Sequence, residues 1–314
     1  MNVKGINSLK QKLIKTKKNM NVLSLFDGMS CGQIALDKLG IKVDNYFASE
    51  IDKYAIQVTQ KNYPNTKQIG SVLGVKGEDL PKICLLYGGS PCQNLSKAVI
   101  NNIKHNKGLQ GEKSSLFYEY LRVLTEVKPK YFLLENVGGM SRENVELISE
   151  AMGVDGIEIN SNLFSAQDRS RFYWTNIPFD NDIVDEKKII LKDIVQHASE
   201  VEDKFWYEKD FIYNGDGAKV QATLNINGHD ILKRVNNLNN KCATLTCCRG
   251  GNLQKKVYQN GKCRKLTPLE YERLQTVPDN YTEGVSNSQR YNMLGNGWTV
   301  DVIAHIFKNI TKIN

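Results

Sequence analysis

The stretch "NVLSLFDGMSCGQIALDKLG", residues 21–40, decides the fold class of this chain. Its first part, "NVLSLF", is typical of a buried strand, and "DGMSCG" indicates a tight glycine turn. The following "QIALDKLG" predicts a short helix that ends at a glycine, a residue that readily adopts the left-handed conformation closing a helix. Strand, turn and helix in this order predict the start of an α/β unit.

The same alternation of strand and helix continues along the chain. The apolar run "ICLLYGG" shows no polar alternation, as expected for a parallel strand that is covered on both faces. We therefore predict an α/β fold with a doubly wound, mostly parallel sheet. The predicted strands after "NVLSLF" are "VDNYFAS", "QIGSV", "ICLLYGG", "KYFLLENV" and two around "IEINSNLF" and "RFYWTNI", and the predicted helices are "DKYAIQVTQKNY", "SSLFYEYLRVLTEV" and "RENVELISEAM".

The texture of the sequence changes at about Phe179, where Asn, Asp, Lys and Gly become frequent. We predict a second, smaller domain or a long insertion over 180–262. Helical character returns in "TPLEYERLQTV" and "GNGWTVDVIAHIFKNI", and we expect the last helix to pack on the first sheet. The predicted division is a basic arm or helix at 1–20, a main domain at 21–179, the segment 180–262, and C-terminal helices at 263–314.

Composition narrows the class of protein. The net charge of +8 suits a polyanionic partner without proving one. The sequence shows no apolar signal peptide and no run of 18 apolar residues, so we expect no membrane segment and a cytoplasmic protein with reduced thiols. The seven cysteines follow no common zinc spacing, and we predict no metal site.

Three features follow predicted strands and should meet at one edge of the sheet, where open parallel sheets bind their ligands. They are the glycine turn, Glu50, and "GGSPCQ" with Cys92. Glu50 lies about twenty residues after the glycines, where an acid can accept both hydroxyls of a ribose. The turn lacks the full dinucleotide fingerprint, and ordinary tight turns remain the alternative for Gly28 and Gly32. The combination favours an adenosine-bearing cofactor.

Cys92 is a candidate nucleophile, which requires a lowered thiol pKa or a nearby base. None of the four histidines sits in a motif, so a hydrolase with a Cys–His pair is poorly supported. An electron-poor ring is the alternative target. Glu135 could protonate or hydrogen-bond a ring nitrogen, or could cap a helix. Arg169 and Arg171 would share one face of a strand, or could form structural salt bridges.

Six motifs occur in one order and together resemble DNA (cytosine-5)-methyltransferases. They are "FDGMSCG", "SPCQNLS", "ENV", "QDRSRFYW", "LTPLEYERLQTVP" and "GNGWTVDVIAHIF". The resemblance spans Asn21 to about Ile310 apart from 180–262. The motifs particularly resemble those of the branch of the de novo methyltransferases and of short phage and bacterial enzymes. The composition of the chain fits a phage or bacterial source. The resemblance implies the S-adenosylmethionine-dependent methyltransferase fold, with 21–179 as the catalytic and cofactor-binding domain and 180–262 as a small target-recognition domain.

The resemblance implies the chemistry as well. Cys92 matches the family nucleophile, which adds to carbon-6 of a flipped cytosine so that carbon-5 accepts a methyl group from S-adenosylmethionine. Glu135 matches the acid that holds ring nitrogen 3 and the exocyclic amine. Arg171 matches the arginine that reaches the base carbonyl, and Arg169 is its neighbour in the motif.

The cofactor site is implied by the same matches, with Phe26 near the adenine and Glu50 at the ribose. Family members often carry an Asp where Ser71 stands, so we expect the contact to the adenine amine to be weaker or to come from the backbone. The implied cofactor residues are Phe26, Asp27, Gly28, Met29, Ser30, Cys31, Glu50, Ile51, Ser71, Val72, Pro91, Asn296, Gly297 and Trp298.

Double-stranded DNA is the implied partner of a monomeric enzyme that acts either in phage self-protection or beside a restriction endonuclease. Ser96 and Lys97 open a predicted loop that closes over DNA. Arg249 in "TLTCCRGGN" could read a guanine edge or lie in an ordinary turn. An RNA (tRNA) cytosine methyltransferase and a catalytically silent DNA-binding homologue are the alternatives. The residues expected to serve phosphates are Lys219, Lys233, Arg234, Lys241, Lys255 and Lys256.

Overall fold

The computed structural model of the protein describes residues 20–90, 116–180, 183, 188–248 and 252–310. Several sequence predictions fall on residues outside these ranges. They concern the basic arm before Met20 and the residues Pro91, Cys92, Ser96, Lys97 and Arg249.

A seven-stranded sheet forms the centre of the molecule. Its strands are β1 (Asn21–Leu25), β2 (Asn45–Ser49), β3 (Lys67–Gln68), β4 (Leu85–Gly89), β5 (Tyr131–Val137), β6 (Ile157–Asn160) and β8 (Ser170–Thr175). Their spatial order is β3-β2-β1-β4-β5-β8-β6. Only β8 runs antiparallel to its neighbours β5 and β6. The observed sheet is therefore mostly parallel and doubly wound, as predicted.

Helices cover both faces of this sheet. Four helices alternate with its strands, namely α1 (Cys31–Lys38), α2 (Lys53–Asn62), α3 (Leu116–Val127) and α4 (Arg142–Met152). Helix α7 (Pro268–Leu274) comes later in the chain, after the second sheet described below. Two further helices end the described chain, α8 (Asn287–Asn296) and α9 (Val300–Phe307), and two single turns are α5 (Leu191–Ile194) and α6 (Asp230–Lys233). Helix α7 begins at a capping box in which Thr267 and Glu270 satisfy each other's backbone N–H groups.

Two apolar layers sandwich the sheet. Leu23 and Leu25 of β1 face the layer of α3 and α4, whereas Val22 faces the opposite layer with α1 and α9. Because β1 is buried on both faces, its sequence shows no polar alternation. Helix α9 belongs to the same layer as α1, so the prediction that the last helix packs on the first sheet is confirmed.

A second sheet lies within the segment that the sequence marks as different. It contains β9 (Phe211–Tyr213), β10 (Val220–Leu224), β11 (Arg234–Asn236), β13 (Lys256–Gln259) and β14 (Lys262–Lys265), in the order β14-β13-β11-β10-β9. A small apolar core of its own stabilises it. Strand β14 begins at Lys262, so the boundary that we placed after position 262 falls inside this strand. Residues Leu191, Val201 and Phe205 pack instead in the core of the main sheet.

Two local predictions were wrong. The strand predicted over "QIGSV" ends at Gln68, because Gly70 has a φ of +77° and Ser71 then begins a 3₁₀ turn. The helix predicted from Gly295 is really two helices, since α8 ends at Asn296 and α9 begins at Val300. The extended link between them carries Gly297 and Trp298 into the cavity described below.

Two of the six basic residues that we expected to serve phosphates are used inside the protein. The ammonium of Lys256 is buried and donates to the carbonyls of Asn252 and Gln254. Burial, followed by the charges of Lys265 and Lys255, lowers the pKa of Lys256 to about 8. Lys241 donates to three backbone carbonyls, those of Asn162, Ser165 and Ile189. Lys219 and Arg234 are exposed, as a phosphate contact requires.

Within the described ranges, no helix is long and apolar enough to cross a bilayer. In the same part of the chain, no three His, Cys, Asp or Glu side chains are grouped so as to hold a metal ion.

Candidate active site

A cavity of about 650 Å³ lies beyond the carboxyl ends of β1, β2, β4 and β5. It has the volume of a site for a small molecule, at the edge where parallel sheets bind ligands. All but one of the predicted catalytic and cofactor residues that the structure describes line it. They are Phe26, Asp27, Gly28, Met29, Cys31, Glu50, Ile51, Ser71, Val72, Glu135, Arg169, Arg171, Asn296, Gly297 and Trp298.

The glycine turn is held in shape by Glu50. Its carboxylate accepts the backbone N–H of Gly28 at 2.7 Å and those of Ile51 and Asp52 at 2.8 Å each. Gly28 has a φ of +58°, in the left-handed region that favours glycine, with open space where a Cβ would stand. The carboxylate is thus fixed where strand β2 ends, beside the turn that follows β1.

Ser30 is the predicted cofactor residue that does not line the cavity. It is fully buried behind the turn, and its hydroxyl donates to Asp27. The other Asp27 oxygen accepts the hydroxyl of Tyr46 at 2.6 Å. Burial raises the pKa of Asp27 to about 6, although the hydrogen bonds from Ser24, Ser30 and Tyr46 act in the opposite direction. Asp27 is therefore a carboxyl group that titrates close to neutral pH at the cavity wall.

Two described cysteines line the cavity, and they differ in their environments. Cys31 is buried, and burial raises the pKa of its thiol to about 12, so this thiol stays protonated. Cys247 is exposed and its sulfur donates to Asn296 Oδ1 at 2.7 Å. The predicted nucleophile, Cys92, lies outside the described residues.

Glu135 and Arg171 form an ion pair inside the cavity. Arg171 Nε lies 2.9 Å from Glu135 Oε1, and both side chains are largely buried. The other carboxylate oxygen, Oε2, accepts the indole N–H of Trp298 at 3.1 Å. Glu135 lies within strand β5, and helix α4 is capped by Ser141, so the alternative of Glu135 as a helix cap was wrong.

Arg169 is buried and binds backbone, with no carboxylate partner among the described residues. Its guanidinium donates to the carbonyls of Leu245, Gly295 and Gly297 at 3.0 to 3.2 Å. Burial first, and then the charge of Arg171, lower the pKa of Arg169 to about 10, so it remains protonated at neutral pH. This arginine ties the segment before Arg249 to the link between α8 and α9.

Sequence reasoning missed one wall of the cavity. The segment Thr244, Leu245, Thr246 and Cys247 lines it, although "TLTCCRGGN" suggested only Arg249 as a contact. A side chain at Gly295 would overlap the backbone of Thr246 and Cys247, so this glycine allows the segment to approach α8. The first glycine of "GNGW" was the signal in the sequence, but nothing local indicates which segment it faces.

The cavity suits an adenosine-bearing cofactor. Ile51 and Leu73 are 77% and 66% exposed at its mouth, where apolar side chains would gain from cover by a flat ring. Ser90 Oγ and Asn292 Oδ1 are buried in the lining without a hydrogen-bond partner among the described residues. Buried polar atoms without partners are rare, and a bound ligand would satisfy them. Ser71 Oγ accepts the N–H of Leu73 at 3.4 Å, which leaves its O–H free to donate to a ligand.

The sequence model of the C-5 cytosine-specific DNA methylase family matches residues 20–312, nearly the whole chain. The chain belongs to this family. It is therefore a DNA (cytosine-5)-methyltransferase, and attack by a cysteine is the general mechanism of its family. The predicted family, the methyltransferase fold and DNA cytosine-5 methylation are confirmed.

Two relatives are similar to the chain in sequence over nearly its whole length, and one solved structure shares its fold. The chain is 28% identical to the type II methyltransferase M.Bsp6I of Bacillus sp. (strain RFL6), over 93% of this chain and 99% of the relative. It is 25% identical to the orphan methyltransferase M.SPBetaI of Bacillus phage SPbeta, over 93% and 97%. The solved structure of S. pombe Dnmt2 methyltransferase superimposes with a TM-score of 0.65 at 18% identity, covering 94% of this chain and 99% of the other.

Proposed function

We propose that the enzyme methylates a flipped cytosine in double-stranded DNA, with Cys92 as the nucleophile and S-adenosylmethionine as the methyl donor. The observation that carries this proposal is one cavity with two chemically different ends. Glu50 and the glycine turn lie at one end, and the Glu135–Arg171 pair lies at the other. A nucleoside cofactor and a pyrimidine base could therefore occupy it together.

Residues at the Glu50 end would hold the cofactor. Glu50 can accept hydrogen bonds from a ribose, and Ile51 and Leu73 offer apolar surface to the adenine. Asp27 and the backbone of the glycine turn line the cavity and would meet the positively charged methionine end. When bound, S-adenosylmethionine supplies the electrophilic methyl group that carbon-5 accepts.

Residues at the Glu135 end would activate the base. The Cys92 sulfur forms a bond to carbon-6, and the electron pair of the 5,6 double bond moves into the ring toward carbon-5. Glu135 hydrogen-bonds ring nitrogen 3 and the amine, and Arg171 meets the base carbonyl, so charge that develops on the ring is stabilised. After methyl transfer a water molecule acts as the base that takes the carbon-5 proton, the C–H electron pair restores the 5,6 double bond, and the cysteine sulfur leaves as a thiolate.

Residues 180–262 would recognise the target sequence, with the exposed Lys219 and Arg234 serving phosphates. A base within a duplex cannot reach such a cavity, and flipping costs a few kcal/mol. The type II relative suggests a restriction–modification role with a cognate endonuclease, whereas the phage relative suggests an orphan enzyme. A monomer acting in the cytoplasm of a bacterium or an infected host would satisfy either role.

Base-resolution sequencing of 5-methylcytosine tests the proposal directly. The enzyme and its Cys92→Ala variant are expressed in a host without cytosine methylation, and DNA and tRNA are both sequenced. We expect methylated cytosines in one short DNA context, and none above background with Cys92→Ala. Cys92→Ser should also be nearly inactive, because an alkoxide forms far less readily than a thiolate. Methylation of tRNA alone, or undiminished DNA methylation by Cys92→Ala, would contradict the proposal.

A further inference from the structure

Trp298 lines the cavity and contacts the Glu135 carboxylate, to which the proposed function assigns the base. Its indole N–H donates to Glu135 Oε2 at 3.1 Å. Its ring packs at 5.8 Å from the ring of Tyr87, which is buried and also contacts Phe307. The Tyr87 hydroxyl is in turn bonded to that of Tyr46 at 2.6 Å. Packing against Tyr87 therefore fixes the indole in the orientation in which it donates to Glu135.

The carboxylate of Glu135 is held from two sides by different donors. Arg171 Nε engages Oε1 at 2.9 Å, and Trp298 engages Oε2. Arg171 is itself oriented by a hydrogen bond from Nη1 to the carbonyl of Ser170 at 2.7 Å. Each carboxylate oxygen has two acceptor positions, so one on each oxygen remains available to a base.

Strand β4 ends at Gly89, next to the hydrogen bond between Trp298 and Glu135. Gly89 pairs with Glu135 in the sheet, and a Cβ at Gly89 would lie 2.7 Å from Glu135 Oε2 and 2.9 Å from Trp298 Nε1. Any side chain at this position would therefore displace the carboxylate, the indole or both. The glycine leaves room for the two groups to meet.

Gly297, which precedes Trp298 in the link between α8 and α9, lies against the glycine turn at the cofactor end of the cavity. A Cβ at Gly297 would lie 2.9 Å from Met29 Cε in the cofactor turn. The Gly297 carbonyl accepts from Arg169 and from Gln275, both at 3.0 Å. Two adjacent residues therefore reach different ends of one cavity. The backbone of Gly297 lies near Met29 at the cofactor end, and the side chain of Trp298 contacts Glu135 at the other end.

We propose that Trp298 is a positioning residue that fixes the Glu135 carboxylate for the flipped base, in addition to lining the cofactor site. This inference rests on the proposed function, because it assigns Glu135 to the base. A residue that only walls the cofactor site would change cofactor affinity. A residue that acts through Glu135 loses its effect once the carboxylate is absent.

A double-mutant cycle separates these two roles. Trp298→Phe keeps an aromatic ring and removes the N–H, and it is combined with Glu135→Ala in single-turnover assays with radiolabelled S-adenosylmethionine. We expect Trp298→Phe to slow methyl transfer about tenfold in the parent, as for loss of a hydrogen bond to a charged group, and less than about twofold in the Glu135→Ala background. The dissociation constant of the cofactor should change less than about threefold.

Trp174→Phe is the matched control. Trp174 also donates its indole N–H, to Ser149 Oγ at 2.9 Å, but it does not line the cavity. Its variant should transfer methyl groups at the parental rate. Equal losses from Trp298→Phe in both backgrounds, or weaker cofactor binding with an unchanged transfer rate, would overturn the inference. Melting temperatures report whether each variant is folded.

A second measurement does not depend on activity. The chain has three tryptophans, so ¹⁵N labelling gives three indole resonances that single Trp→Phe variants assign. Glu135→Ala should move the Trp298 indole proton upfield and leave that of Trp206 in place. An unmoved Trp298 resonance would overturn the inference even in an active enzyme. If the parent methylated no DNA, the proposed function would fail, and this resonance would still decide whether Trp298 holds Glu135.

Discussion

Among single residues, Asp27 is the one from which we expect a pH dependence of cofactor binding. Its pKa is raised from the ordinary 3.8 to about 6, chiefly by burial. The carboxyl is therefore neutral below pH 6 and negative above it, whereas the methionine end of the cofactor carries positive charge. We expect the affinity for S-adenosylmethionine to rise as the pH rises through about 6, because the negative carboxylate then attracts the cofactor.

Isothermal titration calorimetry between pH 5 and 8 measures this dependence. Asp27→Asn should flatten the profile through pH 6, since its amide does not titrate. Asp37→Asn, on the exposed side of α1, is the control and should keep the parental profile. A parental affinity that stays constant over this range would show that the carboxyl does not face the charge of the cofactor.

Among the elements, strand β4 ends at a glycine that leaves room for the Glu135 carboxylate, to which we assign the base. Gly89→Ala would place a methyl group 2.7 Å from Glu135 Oε2, where real Cβ atoms do not occur. We expect a loss of methyl-transfer rate of at least about tenfold, since a misplacement near 1 Å at a reacting group can cost a hundredfold. The variant should still fold, because the neighbouring atoms that must move are ends of side chains.

Gly139→Ala provides the comparison. Gly139 follows the next strand, β5, and has open space where a Cβ would stand. The single-turnover rate should fall in Gly89→Ala and stay at the parental value in Gly139→Ala. Melting temperatures report whether both variants are folded. Equal rates for both would mean that the carboxylate can move without consequence.

The elements also show what the sequence could predict. Strands β1, β2, β4 and β5 carry apolar runs followed by chemically distinctive residues, and these local signals gave both the sheet and the strand-end residues. Helix α8 has a mostly polar sequence, "NSQRYNMLGN", and gave no periodic signal. The contacts of Trp298 with Glu135, and of Arg169 with Leu245, join positions more than 70 residues apart. No local pattern encodes such pairs, because packing of the whole chain creates them.

At the scale of the whole molecule, Arg169 joins parts of the chain that are distant in sequence. It leaves the end of β7 (Gln167–Asp168), which pairs with β12 (Cys242–Ala243) just before the Leu245 carbonyl that it binds. Its other terminal nitrogen donates to the carbonyl of Gly295 near the C-terminus of α8 and to that of Gly297 in the link to α9. This buried cation is costly to remove, because the carbonyls of Leu245 and Gly295 would lose their donor, whereas that of Gly297 would keep its bond from Gln275.

Arg169→Ala should therefore lower the free energy of unfolding by about 2 kcal/mol, at roughly 1 kcal/mol for each of the two carbonyls, Leu245 and Gly295, left without this donor. Arg142→Ala removes an arginine that is 92% exposed and paired with Glu146 on the surface of α4, and such pairs contribute about 0.5 kcal/mol or less. Urea unfolding of both variants measures the contrast. Equal losses would mean that water replaces the guanidinium at these carbonyls. A large loss confined to Arg169→Ala would show that Arg169 helps to hold the wall formed by Thr244 to Cys247 against the cavity, together with the bonds that Leu245 N–H donates to Gln167 and that Cys247 donates to Asn296.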